Sequence, residues 1–194
     1  KSMKKTLKGV KVEEIERAYE KCLIWFYAYP RRTIGLTDLS LSVNSSKTST
    51  KQAVENLLQQ EVLFREIAGK TWILSVNQEH NYFRTKKILY HIDKIYEVGV
   101  LEAVYKLVPQ ARAIILFGSY RYGTDDEKSD IDIAVEVLDN NEMQITQLGI
   151  IDQFGYRKKV PVNIHVFSRN KIDLNLFVNI ANGFVLDGFL EVRP

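Results

Sequence analysis

Cysteine is almost missing from this chain: Cys22 stands alone among 194 residues. A lone thiol excludes an internal disulfide and suits a reducing compartment, so a cytoplasmic location is expected. No run of roughly eighteen apolar residues occurs, which predicts no membrane span. The opening "KSMKKTLKGVKVEEIE" has no apolar stretch of the kind a secretory signal needs, and Met3 reads as the native start. Charge of one sign is scarce as well, since a net of +3 is too small to imply nucleic acid by itself. Internal repeats and low-complexity tracts are also lacking.

What is present is folded matter. An apolar fraction of 45% and an aromatic fraction of 11% argue against disorder, and the length suits one domain or two small ones. The charge is unevenly spread: residues 1–80 carry 13 Lys/Arg against 9 Asp/Glu, whereas 81–194 carry 14 against 15. The basic excess therefore sits in the N-terminal part.

The most informative stretch is 113–136, "AIILFGSYRYGTDDEKSDIDIAVE". An apolar strand ends on Gly118-Ser119, ten polar residues follow, and a second apolar strand carries Asp130-Ile131-Asp132. Alternate residues of a strand share a face, so the two carboxylates point the same way. Two unit charges about 4 Å apart disfavour each other by roughly 4 kcal/mol at an effective dielectric near 20, and spreading to about 6.5 Å eases this without removing it. A divalent cation between them reverses the sign. Mg²⁺ keeps several waters and takes one or two carboxylates plus phosphate oxygens. Gly118 leaves room for backbone approach, and Ser119 adds a hydroxyl beside backbone amides that suit a phosphate.

Together these motifs resemble the nucleotidyltransferase superfamily that includes DNA polymerase β, and more narrowly its minimal nucleotidyltransferase domains. The resemblance covers roughly the last three fifths of the chain. It implies that Gly118 and Ser119 bind a nucleoside triphosphate (NTP) substrate, and that Asp130 and Asp132 are catalytic residues holding Mg²⁺, with room for two ions. Arg121 is carried as a further nucleotide-binding candidate, although small members commonly read Gly-Ser-x-Ala-Arg-Gly, one place out of step with Gly118-Ser119-Tyr120-Arg121-Tyr122-Gly123. A second departure lies in "VPVNIHVF", Val160 to Phe167, where the family places a third carboxylate. Asn163 stands there, an amide that can ligate a metal but cannot act as a base. His165, two residues on and on the same face, is the candidate proton acceptor, with a satisfied, partly buried histidine as the plainer alternative.

Upstream, Glu13 to Tyr29 has Ile15, Ala18, Tyr19, Cys22, Leu23 and Phe26 at helical spacing, and Pro30 stops it. A brief helix from about Thr37 follows, then a third with Ala53, Val54, Leu57, Leu58 and Val62 on one side and Ser45 or Ser46 as N-cap. "LFREIAGKTWILS" reads as a hairpin around Ala68-Gly69-Lys70. This order over residues 10–77 looks like a winged helix-turn-helix, with Glu61 where such domains often have Gly. The resemblance implies that Ser46, Lys47, Thr48, Ser49, Lys51 and Gln52 face DNA, with Arg65 and Lys70 near the wing. The plainer alternative is a solvated face on a packing or dimerisation module.

Residues 81–108 read as a helical connector, broken at Gly99, with Phe83, Ile88, Leu89, Ile92, Ile95 and Tyr96 as one stripe suited to a core or a homodimer contact. Glu142 to Phe154 reads as a helix, Asn170 to Ile180 as another ended by Asn182-Gly183, and "NGFVLDGFLEV" packs or pairs. The sequence thus predicts an α/β (α+β) protein: a winged helix domain over 1–80 and a polymerase β-like domain with a mixed sheet flanked by helices over 81–194. It predicts a Mg²⁺-dependent nucleotidyltransferase coupled to a DNA-binding domain. The alternative is a catalytically impaired DNA-binding regulator or antitoxin, which would bind nucleotide or a toxin-like protein partner.

Overall fold

The computed structural model of the protein describes residues 6–7, 17–139 and 141–192. Met3, and Glu13 to Glu16 of the expected first helix, lie outside them. Strand β1 (Thr6–Leu7) is followed by helix α1 (Ala18–Ala28), which stops short of Pro30, whose ring and missing N–H cannot continue a helix. Strand β2 (Ile34–Gly35) leads into α2 (Leu36–Ser42) and α3 (Lys47–Gln59). Ser46 caps α3: its hydroxyl accepts the Ser49 amide at 3.0 Å, satisfying one of the free N–H groups of the first turn. Just past that helix Glu61 is left-handed, φ 58, a conformation glycine adopts without steric strain. The departure from glycine at this position is therefore a local strain. Strands β3 (Leu63–Ala68) and β4 (Thr71–Val76) form the expected hairpin, and β2 pairs with β4 on its other side. Cys22, Phe26, Leu39, Val54, Leu57 and Leu74 close one core beneath these elements. Burial pushes the Cys22 thiol up to about 12, so it packs as a small apolar group.

Helices α4 (Asn81–Glu97) and α5 (Val100–Leu107) are separated by left-handed Gly99, as expected. The buried stripe of α4, however, is Phe83, Lys87, His91 and Ile95, while Leu89 and Tyr96 of the expected stripe are 56% and 43% exposed. Four-residue spacing runs straight along the helix face. Two of its positions are polar, so hydrophobicity alone pointed to the neighbouring face.

Strand β5 (Ala113–Phe117) ends on Gly118, a four-residue helix α6 (Ser119–Tyr122) follows, and β6 (Ile131–Val137) carries Asp132. The helix expected over Glu142 to Phe154 is instead strand β7 (Gln144–Phe154), half of a hairpin with β8 (Arg157–Ser168). Leu148, Ile151 and Phe154 are buried at three-residue spacing, which mimics a helix. A bulge between Gln147 and Gly149 breaks the two-residue alternation, and β8, which follows the turn at left-handed Gly155, supplies the backbone partners. After a 3-10 turn at Arg169–Lys171, α7 (Leu174–Ala181) is capped by Asp173 and followed by β9 (Phe184–Gly188). The second helix of this region thus begins four residues later than expected.

Among the described residues the larger sheet has the order β1-β7-β8-β6-β5-β9. It is mixed: β6 runs parallel to β8 and β1 to β7, while the remaining pairs are antiparallel. One face packs Ile114, Ile131, Ile133, Val160, Val162 and Ile164 against α4 and α5; the other packs Ile115, Ala134 and Phe167 against α7. Helices therefore flank a mixed sheet. Among the described residues no helix is long and apolar enough to cross a membrane.

Candidate functional site

The parallel register of β6 and β8 places Asp132 opposite Asn163 and Ala134 opposite His165. Asp130, Asp132, Asn163 and His165 thus share one sheet face, each half-buried. Asn163 Nδ2 donates to Asp130 Oδ2 at 3.2 Å, and His165 Nε2 lies 3.3 Å from Asp132 Oδ1. An ionised carboxylate only accepts, so Nε2 carries the proton in this pair and Nδ1 faces away from it. That Nδ1 is buried without a hydrogen-bond partner among the described residues, and the ring stands nearly perpendicular to that of Phe117 with centroids 4.9 Å apart. Geometry thus makes His165 a support for Asp132, with only Nε2 facing the carboxylates.

Gly118 closes the other side. Its φ 72 and ψ −154 lie in a region open in practice to glycine alone. A Cβ there would sit 3.2 Å from Asp132 Oδ2, so the missing side chain is what lets the turn lie against the carboxylate. Ser119 begins α6, and Arg121 lies on the same short helix with its guanidinium 5.3 Å from the Tyr122 ring centroid. Its Nε is buried with no hydrogen-bond partner among the described residues. The structure brings Gly118, Asp130, Asp132, Asn163 and His165 together; Arg121 is tied to them through its backbone N–H, which donates to the Gly118 carbonyl at 3.1 Å, while its guanidinium bonds none of them among the described residues.

A metal can be tested against this donor set. Neither Asp130 nor Asp132 pairs with Lys or Arg among the described residues, so two hard anionic oxygens share an uncompensated patch. Among the described residues no group of three or more His, Cys, Asp or Glu is arranged to hold a metal ion, His165 being turned to Asp132 as its support. Two carboxylates and one amide fit a single Mg²⁺ that completes its shell with water and phosphate oxygens. A second ion would lack the charge that a third carboxylate supplies.

Behind the site lies a cluster that composition and periodicity did not single out. Lys87 is 0% exposed; its Nζ donates to the Asp125 carbonyl at 2.6 Å and stands 3.0 Å from Asp125 Oδ1. His91 Nε2 is 3.6 Å from Asp125 Oδ2. Arg157 bonds the Tyr120 hydroxyl and donates to the carbonyls of Glu127 at 3.1 Å and Ser129 at 2.7 Å. Desolvation holds the Lys87 ammonium below its ordinary range, outweighing the Asp125 charge. Desolvation likewise pulls the His91 imidazole down to about 4, against the pull of Asp125.

A pH dependence follows. Between about pH 6.5 and pH 4 the unfolded chain protonates this histidine and the folded protein does not. The unfolded state then binds one more proton, so stability falls with acidification, by up to ~1.4 kcal/mol per pH unit. Denaturant unfolding across that range should show the slope in the wild type and lose that share of it in His91→Gln.

In the N-terminal part, Ser46, Lys47, Thr48, Ser49, Lys51 and Gln52 are exposed on the first turns of α3, as are Arg65 on β3 and Lys70 at the turn. Lys47, Lys51 and Lys70 line a groove of about 370 Å³ with Thr37, Asp38 and Trp72. Trp72 was not among the expected residues; Arg65 stands 4.5 Å and Lys51 5.6 Å from its ring.

Residues 98–182 match the family model of the nucleotidyltransferase domain. That span holds Gly118-Ser119, the Asp130 and Asp132 pair, Asn163 and His165, and it supports nucleotidyl transfer as the general class of activity. No curated protein and no solved structure matches the chain.

Proposed function

We propose, from the nucleotidyltransferase match over residues 98–182 and the carboxylate pair set against the Gly118 turn, that the protein is a Mg²⁺-dependent nucleotidyltransferase moving a nucleoside monophosphate from an NTP to an acceptor hydroxyl. The observation that carries this is Asp130 and Asp132 on one half-buried face with no Lys or Arg paired to either among the described residues. Asp130, Asp132 and the Asn163 amide oxygen would hold the ion. When bound, Mg²⁺ neutralises phosphate charge and orients an in-line displacement. Gly118 and Ser119 cradle the triphosphate through backbone and hydroxyl, with Arg121 nearby on α6. His165, with Nε2–H donated to Asp132, keeps that carboxylate in place. Incubation with labelled ATP or CTP, Mg²⁺ and candidate acceptors tests this reading, and absence of transfer across nucleotides counts against it.

One observation favours a second reading. Asn163 leaves the third acidic position uncharged and spends its amide on Asp130. On that reading the chain is a regulator or antitoxin that binds nucleotide or a toxin-like protein and has lost turnover. Asn163→Asp separates the two. A carboxylate about 3 Å from Asp130 Oδ2 repels it by roughly 5 kcal/mol at an effective dielectric near 20 before solvent relaxation, so the metal-free variant should melt lower and Mg²⁺ should restore it. Turnover in Mg²⁺ should rise by on the order of 10² if the missing acid is the defect.

The N-terminal residues are proposed as a winged helix domain, residues 1–80, that places the start of α3 and the 63–76 hairpin on DNA. Exposed Lys47, Lys51, Lys70 and Arg65 supply phosphate contacts, and Ser46, Thr48, Ser49 and Gln52 face base edges. Four to six phosphate contacts predict a slope of log K on log salt near −4 to −5, roughly −0.9 per contact, falling by about one unit in Lys51→Ala. A flat salt response removes DNA from the reading.

A further inference from the structure

Of the segments around the site, the loop from Thr124 to Ser129 is held in the least ordinary way. It joins the two halves of the chemistry, Gly118-Ser119 before it and Asp130-Ile131-Asp132 after it. Surface loops commonly satisfy their carbonyls with water. Here the carbonyls of residues 125, 127 and 129, alternate positions leading directly to Asp130, are taken by Lys87 of α4 and Arg157 of β8. Lys87 is 0% and Arg157 7% exposed, so both cations are kept out of water to hold that backbone. Two ion pairs at the rim, Arg31 with Asp126 and Arg32 with Glu127, add contacts from the segment after α1.

Stability alone is a weak reason for such a cluster, because well-packed apolar side chains hold a fold as well as buried ion pairs do. Backbone carbonyls fixed by two cations from different elements give the loop one geometry instead. The ladder fixes Asp132, whereas Asp130 lies just outside β6 and takes its position from the loop. We propose that Lys87 and Arg157 are positioning residues of the nucleotidyl-transfer site, setting Ser119 and Asp130 relative to each other through this loop. The inference rests on the nucleotidyl-transfer reading for what is positioned, though the restraint on the loop can be measured without it.

The test uses the full chain carrying Lys87→Met with Asp125→Asn, neutral partners that leave no unpaired buried charge. Amide exchange over residues 118–130 should quicken at least about tenfold, while α3 and the 63–76 hairpin stay as in the wild type. Binding of the α,β-methylene analogues of ATP and CTP with Mg²⁺ should weaken about tenfold or more, with KM for nucleotide rising more than kcat falls. Arg157→Gln is the second variant and should change the same amides. Unchanged exchange over 118–130 in a folded variant overturns the proposal, as does a chain that folds with neither substitution set, since the cluster is then needed for folding itself. A wild type that neither binds nucleotide nor transfers label removes the nucleotidyl-transfer reading, and the exchange result then decides the loop restraint alone.

Discussion

Asp132→Ala is expected to lower nucleotidyl transfer by on the order of 10³, with Asp130→Ala close to it. A metal held by these carboxylates is worth several kcal/mol of transition-state charge stabilisation, and each 1.36 kcal/mol is a factor of ten. The stability of the metal-free protein should move the other way. Neither side chain has a Lys or Arg partner among the described residues, and Asp132 leans only on His165. Removing one charge relieves the repulsion, so the variant should melt at the wild-type temperature or above in the presence of EDTA, and Mg²⁺ with nucleotide should no longer raise it. Single-turnover label transfer and thermal unfolding with and without Mg²⁺ read both effects. Retained transfer in either variant would sink the assignment of the pair.

The second large effect concerns folding. Lys87→Met should destabilise the protein by about 3–5 kcal/mol, because Asp125, 1% exposed, keeps a buried charge that loses its Lys partner, the one Lys or Arg paired with it among the described residues. His91 is a poor substitute, since desolvation, the largest influence on that ring, disfavours its charged form. Adding Asp125→Asn should return most of the loss, as a neutral amide needs no counter-charge. Urea unfolding of the three proteins at pH 7 measures this, and a loss under about 1 kcal/mol in the single variant would mean that water reaches Asp125.

Much of the candidate site was legible in the residues because its parts are close in sequence. Alternation along one strand is enough to put Asp130 and Asp132 on one face, and Gly118-Ser119 at a strand end marks a turn. Asn163 and His165 were reachable because "VPVNIHVF" alternates without interruption. The partnerships were not. That Asn163 bonds Asp130 while His165 bonds Asp132 depends on the parallel register of β6 and β8, which no local pattern encodes. The helix expected over Glu142 to Phe154 failed for a related reason: a bulge gave Leu148, Ile151 and Phe154 a helical spacing within a strand.

The sequence by itself determined the local elements whose period or punctuation is unbroken: helices ending at Pro30 and Gly99, the 63–76 hairpin, and the two acids on one strand face. Only the tertiary structure decided that Lys87, His91, Asp125 and Arg157 meet. Each reads alone as an ordinary surface charge, and burial becomes affordable only when partners up to 38 residues apart supply hydrogen bonds that water no longer can.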